Sequence, residues 1–205
     1  MSSLTKKSKI QYVCNKCGYK SGKWLGRCSD CGEWESFSEE LSRPRSTKAG
    51  LKIEPQPLHL APDGEEERIR TGIDELDRVL GGGVVPGGVV LIGGDPGIGK
   101  STLMMHMLKA VAEQGGKVLY ASGEESARQI KMRARRLDAL DPRQFLATVS
   151  AVEQIVDMTA AMQPALLVVD SIQTLTCDEF PSAPGSVTQV RESAARLLNM
   201  AKTLN

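Results

Sequence analysis

Gly93-Gly94-Asp95-Pro96-Gly97-Ile98-Gly99-Lys100-Ser101-Thr102 is the stretch from which the rest of the 205-residue chain is read. From Gly94 its spacing is G-x-x-x-x-G-K-S. In that pattern glycines let backbone N–H groups wrap a polyphosphate, the lysine supplies charge and the hydroxyl reaches a magnesium ion. Such a loop joins a buried strand to a helix N-terminus, where unpaired N–H groups and the helix dipole favour an anion. Both flanks fit. Gly88-Val89-Val90-Leu91-Ile92 is an apolar run too short for a helix, which predicts a buried strand, and Leu103, Met104, Met107, Leu108 and Val111 fall on one helical stripe opening at Ser101.

Composition sets outer limits. With 40% apolar and 25% charged residues the chain is ordinary globular protein, long enough for one domain and a small accessory module. The formal net charge of +1 gives no global argument for a polyanionic partner. The distribution is uneven, however: the first 27 residues carry seven Lys or Arg and no Asp or Glu. No apolar run reaches the length of a membrane span, and the start lacks the apolar segment of a secretory signal, so a cytoplasmic protein without membrane contact is expected.

Cys14-x-x-Cys17 and Cys28-x-x-Cys31 have the spacing of paired zinc knuckles, two hairpins that bring four thiolates to one Zn²⁺. Gly18 and Gly32 follow the second cysteine of each pair, where the backbone has to curl back. A redox dithiol and two disulfides are the rival readings, and a reducing compartment favours the metal. Lys6, Lys7, Lys9, Lys16, Lys20, Lys23 and Arg27 surround the knuckles, with Tyr12, Tyr19 and Trp24 among them. They suit a nucleic-acid backbone with a stacked base, and equally the balancing of a site whose four thiolates and one Zn²⁺ sum to minus two.

The expected organisation is a zinc ribbon over 1–37, a linker over 38–68 and a nucleotide-binding domain over 69–205. Pro44, Pro55, Pro57 and Pro62 forbid a long helix in the linker, and His59 within it carries no expected chemistry. Thr71 is read as the cap of a short helix whose face holds Ile73, Leu76, Val79 and Leu80, ended by Gly81-Gly82-Gly83. A second buried strand is predicted at Lys117–Ala121, followed by apolar runs at Phe145–Val149 and Ala165–Asp170, each separated by a helical segment. That alternation specifies an α/β fold with a parallel sheet covered on both faces.

Asp170 closes its apolar run, where a carboxylate holds magnesium through water. The next residue is Ser171, not an acid, so the group that orients the attacking water is sought elsewhere. Glu124 and Glu125 at the tip of the second strand are the candidates, with Glu124 preferred because it lies nearer the strand end. The cations Arg128, Lys131, Arg133, Arg135 and Arg136 read as a solvated helix face, and His106 on the loop helix is assigned no chemistry. Residues 177–186, with Pro181 and Pro184, read as a mobile loop holding an unpaired Cys177. A final helix should present Val190, Ala194, Leu197, Leu198 and Ala201 on one face.

The ribbon at Cys14 to Cys31, the R-T-G-I-D-E-L-D-R-V-L-G-G-G segment, the phosphate loop, Y-A-S-G-E-E-S and V-V-D-S-I-Q-T-L, in this order, resemble the RadA/Sms family of bacterial DNA repair proteins from about Gln11 onward. The resemblance implies a RecA-like P-loop ATPase core, a homo-hexamer with ATP at subunit interfaces, and action on single-stranded or branched DNA in repair and recombination beside recombinase or replication proteins. The motifs themselves place ATP and Mg²⁺ on Gly94, Asp95, Pro96, Gly97, Ile98, Gly99, Lys100, Ser101, Thr102 and Asp170, catalysis on Lys100 and Glu124, and Zn²⁺ on Cys14, Cys17, Cys28 and Cys31. By the resemblance, the loop after Thr176, residues 177–186, is the DNA-facing one. Family members continue past Asn205, so the core is expected to be incomplete at its C-terminus. Two other readings are an ATP-gated adaptor without catalysis, whose ribbon recruits a protein, and a zinc-containing nucleoside or nucleotide kinase.

Overall fold

The computed structural model describes residues 9–42, 57–60 and 67–204. Lys6, Lys7, Pro44, Pro55 and Pro62 lie outside the described residues. The chain forms two compact units, residues 1–65 and 66–205.

In the first unit, β1 (Lys9–Cys14) pairs antiparallel with β2 (Lys20–Ser21) and with β3 (Phe37–Ser42). Strand β3 carries the ribbon's sheet to Ser42, beyond the boundary expected at residue 37. Each knuckle closes on its glycine: the N–H of Gly18 donates to Cys14 O at 2.8 Å and that of Gly32 to Cys28 O at 3.0 Å. The core is Cys14, Cys28 and Phe37, flanked by Tyr12, Cys17 and Leu25. That is too little apolar surface to hold a fold by itself.

The second unit begins with α1 (Asp74–Val79), preceded by a segment fastened to the next helix. Gly72, at φ +74°, lies so close to that helix that a Cβ there would stand 2.3 Å from Ala110 Cβ. Thr71 does not cap α1. Its hydroxyl accepts from the N–H of Ile73, and its own N–H donates to the buried Asp77 carboxylate at 2.9 Å. Val79 faces solvent, because α1 is too short to bury a full stripe.

Helix α2 (Lys100–Glu113) leaves the phosphate loop as predicted and buries Met104, Met107, Leu108 and Val111, with Met105 and Ala112 in addition. Strands β4 (Val118–Ser122), β5 (Gln144–Thr148) and β6 (Leu166–Asp170) form a parallel sheet in the order β5-β4-β6. Helices α3 (Ala127–Arg136) and α4 (Val152–Met162) alternate with the strands, and α5 (Val187–Thr203) follows β6. Alternate strand residues supply two cores. Val118, Tyr120, Leu166 and Val168 pack with α2 and α3, while Ala121, Leu167 and Val169 pack with Val152 and Ile155 of α4.

Three expectations are corrected. Val89, Val90 and Leu91 are 53%, 45% and 85% exposed and join no sheet among the described residues, because no described strand lies beside them. An apolar run becomes a strand only where a neighbour satisfies its N–H and C=O groups. The residues that α5 buries most deeply are polar, Thr188, Gln189 and Ser193, while of the expected stripe Leu197 packs half-buried against the α4-side core and Leu198 is exposed. The segment after Thr176 is held rather than loose, since the Gln189 side chain accepts from the N–H of Cys177 at 2.7 Å and donates to the carbonyls of Phe180 at 2.7 Å and Ser182 at 3.0 Å.

Candidate functional site

The phosphate loop and the end of β6 converge although they lie far apart in sequence. Gly99 takes φ +104° as the N-cap of α2, a conformation that side chains resist, and no atom stands within 4 Å of the position its Cβ would occupy. The glycine is therefore demanded by the backbone rather than by crowding. The Lys100 ammonium donates to the carbonyls of Gly94 at 2.7 Å and Asp95 at 2.9 Å, which keeps its charge on the loop. The Ser101 hydroxyl donates to Asp170 Oδ2 at 2.7 Å. A hydroxyl and a carboxylate meeting beside a polyphosphate cradle are hard oxygen donors, a set that fits Mg²⁺. Thr102 and Ile98 border a cleft of about 520 Å³ with Gly99, Lys100, Leu103 and His106, within the usual size of small-molecule sites. His106, given no chemistry from sequence, thus stands on the wall of this cleft.

Glu124 and Glu125 part ways in the structure. Both backbone N–H groups donate to the Ser122 hydroxyl at the end of β4, at 3.3 and 3.2 Å. The Glu125 carboxylate is then taken by an ion pair with Arg133, one turn and more into α3. The Glu124 side chain is exposed and has no partner among the described residues. Arg133 consequently leaves the solvated face to which its helix spacing assigned it, whereas Arg128, Lys131, Arg135 and Arg136 remain exposed. Ser126 and Gln129 close α3 with a capping box, so the turn carrying both glutamates is fixed on its helix side.

The four cysteines of the ribbon gather into one cluster with every sulfur within 4.8 Å of every other. Cys14 and Cys31 Sγ are 3.7 Å apart, and Cys17 and Cys28 Sγ 3.5 Å. Disulfides, at about 2.05 Å, are excluded. The edge of a tetrahedron with Zn–S bonds of about 2.3 Å is about 3.8 Å, so the spacing fits zinc. The thiols do not ionise alike. Burial pushes Cys14 up, but its hydrogen bonding with Ser36 and with the backbone of Cys17 and Lys16 outweighs it and brings it down to about 6. At Cys17 a backbone bond near Tyr19 pulls down, and burial with the neighbouring thiols overrides it to about 12. Four thiolates at this spacing need a cation among them, which a divalent metal supplies.

Around the cluster, Lys16 pairs with Glu33, and Arg27 donates to Gly32 O at 2.9 Å while lying 5.5 Å from the Trp34 ring centre. The ammonium groups of Lys20 and Lys23 have no partner among the described residues, and Trp24 and Trp34 are 55% and 69% exposed.

Sequence reasoning missed Tyr120, Arg133 and Gln189. Tyr120 was legible in part: a phenol inside an otherwise apolar strand has to find an acceptor. Arg133 and Gln189 left no such signal, because their partners are set by how α3 and α5 dock. Cys177 is buried, and burial followed by a hydrogen bond to Glu153 pushes its thiol up to about 11, which makes it an unreactive core residue. His59 sits exposed in the 3-10 turn Leu58–Leu60.

Fold and donor sets together define the class: a RecA-like P-loop ATPase core of α/β type, preceded by a four-cysteine zinc ribbon. Residues 69–147 match the KaiC ATPase family, and residues 12–39 match the rubredoxin metal binding domain. The chain is 44% identical over 204 residues to the DNA repair protein RadA of Halalkalibacterium halodurans, a match covering 96% of this chain and 45% of that protein. It is 43% identical over 205 residues to RadA of Bacillus subtilis and 45% identical over 205 residues to RadA of Campylobacter jejuni. The chain belongs to the RadA family, and it spans a little under half the length of these relatives.

Proposed function

We propose that this chain carries the nucleotide site of a DNA-dependent ATPase acting in DNA repair and homologous recombination on branched intermediates. The single observation that carries the reading is the meeting of Ser101 with Asp170 at the N-terminus of α2, beside a glycine loop that holds Lys100. The names of the relatives supply the repair context.

In this reading the N–H groups from Gly94 to Thr102 receive the phosphates of ATP, with Asp95, Pro96, Gly97, Ile98 and Gly99 shaping the cradle, and Lys100 offsets their charge. Ser101 and Asp170 hold Mg²⁺, Asp170 through water. When bound, that ion would offset negative charge as it develops in phosphoryl transfer. Glu124 orients the attacking water, because its carboxylate alone of the neighbouring pair is free of an ion pair. Cys14, Cys17, Cys28 and Cys31 hold structural zinc.

The domain plan is a ribbon over 1–37 with its sheet running on to Ser42, a linker to 68, and the ATPase domain over 69–205. The assembly is a homo-hexamer in the cytoplasm, with single-stranded or branched DNA and recombinase or replication proteins as partners. ATP turnover with and without single-stranded DNA tests the reading. Stimulation by DNA is expected from the full-length protein, and nucleotide binding with no DNA-stimulated turnover would replace it with the adaptor reading.

A further inference from the structure

Tyr120 is 3% exposed, in the middle of β4, and its phenol donates to Asp170 Oδ2 at 2.5 Å. The parallel register explains the meeting. Tyr120 stands opposite Val168 and Ser122 opposite Asp170, so Tyr120 and Asp170 share one face of the sheet, one pair of residues apart along the strands. That face is the one covered by α2, and Ser101 at the start of α2 donates to the same oxygen. Oδ2 of Asp170 therefore accepts from two hydroxyls, one on the phosphate-loop helix and one fixed inside the sheet.

The two donors differ in freedom. Ser101 is half-buried at the first turn of α2, and its hydroxyl is the one expected to turn toward a ligand. Tyr120 has its ring wedged among α2 and α3 side chains and no other acceptor among the described residues. A carboxylate oxygen held by a rigid phenol cannot swing about its terminal torsion, and its second oxygen, Oδ1, is left with one orientation to offer.

We propose that Tyr120 is a positioning residue for the magnesium side of the nucleotide site: its phenol fixes the Asp170 carboxylate so that Oδ1 faces the ion's water shell and Ser101 is released to the ion. The inference rests on the reading of Asp170 as the magnesium-side carboxylate. Outer partners that orient a ligand typically govern metal affinity by tenfold or more, without touching the metal. The Tyr120→Phe change removes only the hydroxyl and keeps the packed ring.

The test is the magnesium dependence of fluorescent ATP-analogue binding to this chain. Three forms are compared: the unaltered chain, Tyr120→Phe and Asp170→Asn. Affinity in excess EDTA and the thermal midpoint without nucleotide are measured alongside. Tyr120→Phe is expected to raise the magnesium concentration for half-maximal binding about tenfold, with EDTA affinity unchanged within about twofold. An unchanged magnesium requirement in Tyr120→Phe, beside a raised one in Asp170→Asn, overturns the role of Tyr120 alone. An unchanged requirement in both overturns the reading of Asp170 and this inference with it. Equal loss of affinity with and without magnesium in Tyr120→Phe marks a packing role and also overturns it.

Discussion

Lys100 is fastened to two carbonyls of its own loop, and removing its side chain takes away charge without opening a core. In the full-length protein Lys100→Ala is expected to abolish ATP turnover while zinc content, measured by metal analysis, stays at its original level. The adjacent glutamates make a sharper pair. Glu124→Gln should lower turnover by about 100-fold with nucleotide affinity retained, as expected of a lost general base. Glu125→Gln should mainly destabilise, because it leaves the part-buried Arg133 guanidinium short of its carboxylate, in a place where Arg133 Nη1 already has no partner. A thermal melt and a steady-state assay on both variants separate the two roles, and the opposite pattern would exchange the assignments.

At the scale of elements, the segment between β6 and α5 depends on one side chain. Gln189 is 2% exposed and its amide satisfies groups of Cys177, Phe180 and Ser182 together. Gln189→Leu keeps the volume and orphans those groups, at a cost of about 1–3 kcal/mol for each that water cannot reach. Hydrogen exchange should then rise in residues 177–186 before it rises in β4 or β6. The approach of Gly72 to α2 is a second such point. Gly72→Ala is expected to destabilise by about 1–3 kcal/mol in chemical denaturation, since the new methyl meets Ala110 and the φ of +74° disfavours it. These contacts explain why the stripe read for α5 was incomplete: hydrophobic periodicity finds apolar residues such as Leu197, which packs half-buried against the α4-side core, and leaves out the Gln189 amide, which is buried more deeply.

For the whole molecule, each of the two units has a core of its own, and they differ in what holds them together. The ribbon's few buried residues make metal binding its folding free energy, on the order of 10 kcal/mol by comparison with zinc-finger peptides. A strong chelator should abolish the ribbon's structure by circular dichroism, while the 66–205 unit keeps its melting transition. Cys14→Ser should do the same without chelator.

Local spacing in the sequence was enough for the gathering of the four cysteines, the glycine loop leading into α2, the three parallel strands and the place of Asp170 at a strand end, because each is specified within a few residues. Knuckles, glycine turns and short continuous apolar runs need no distant partner to be recognised. The pairing of Ser101 with Asp170, the hold of Tyr120 on that carboxylate, the capture of Glu125 by Arg133 and the burial of Gln189 were decided only by tertiary structure. So was the fate of Val89 to Leu91, whose apolar run looks like a strand but finds no neighbour among the described residues. The physical reason is common to all of them. A hydrogen bond or a sheet edge is satisfied by whatever the fold brings alongside, and the spacing from Gly94 to Thr102 specifies its own loop without specifying the side chains that meet it.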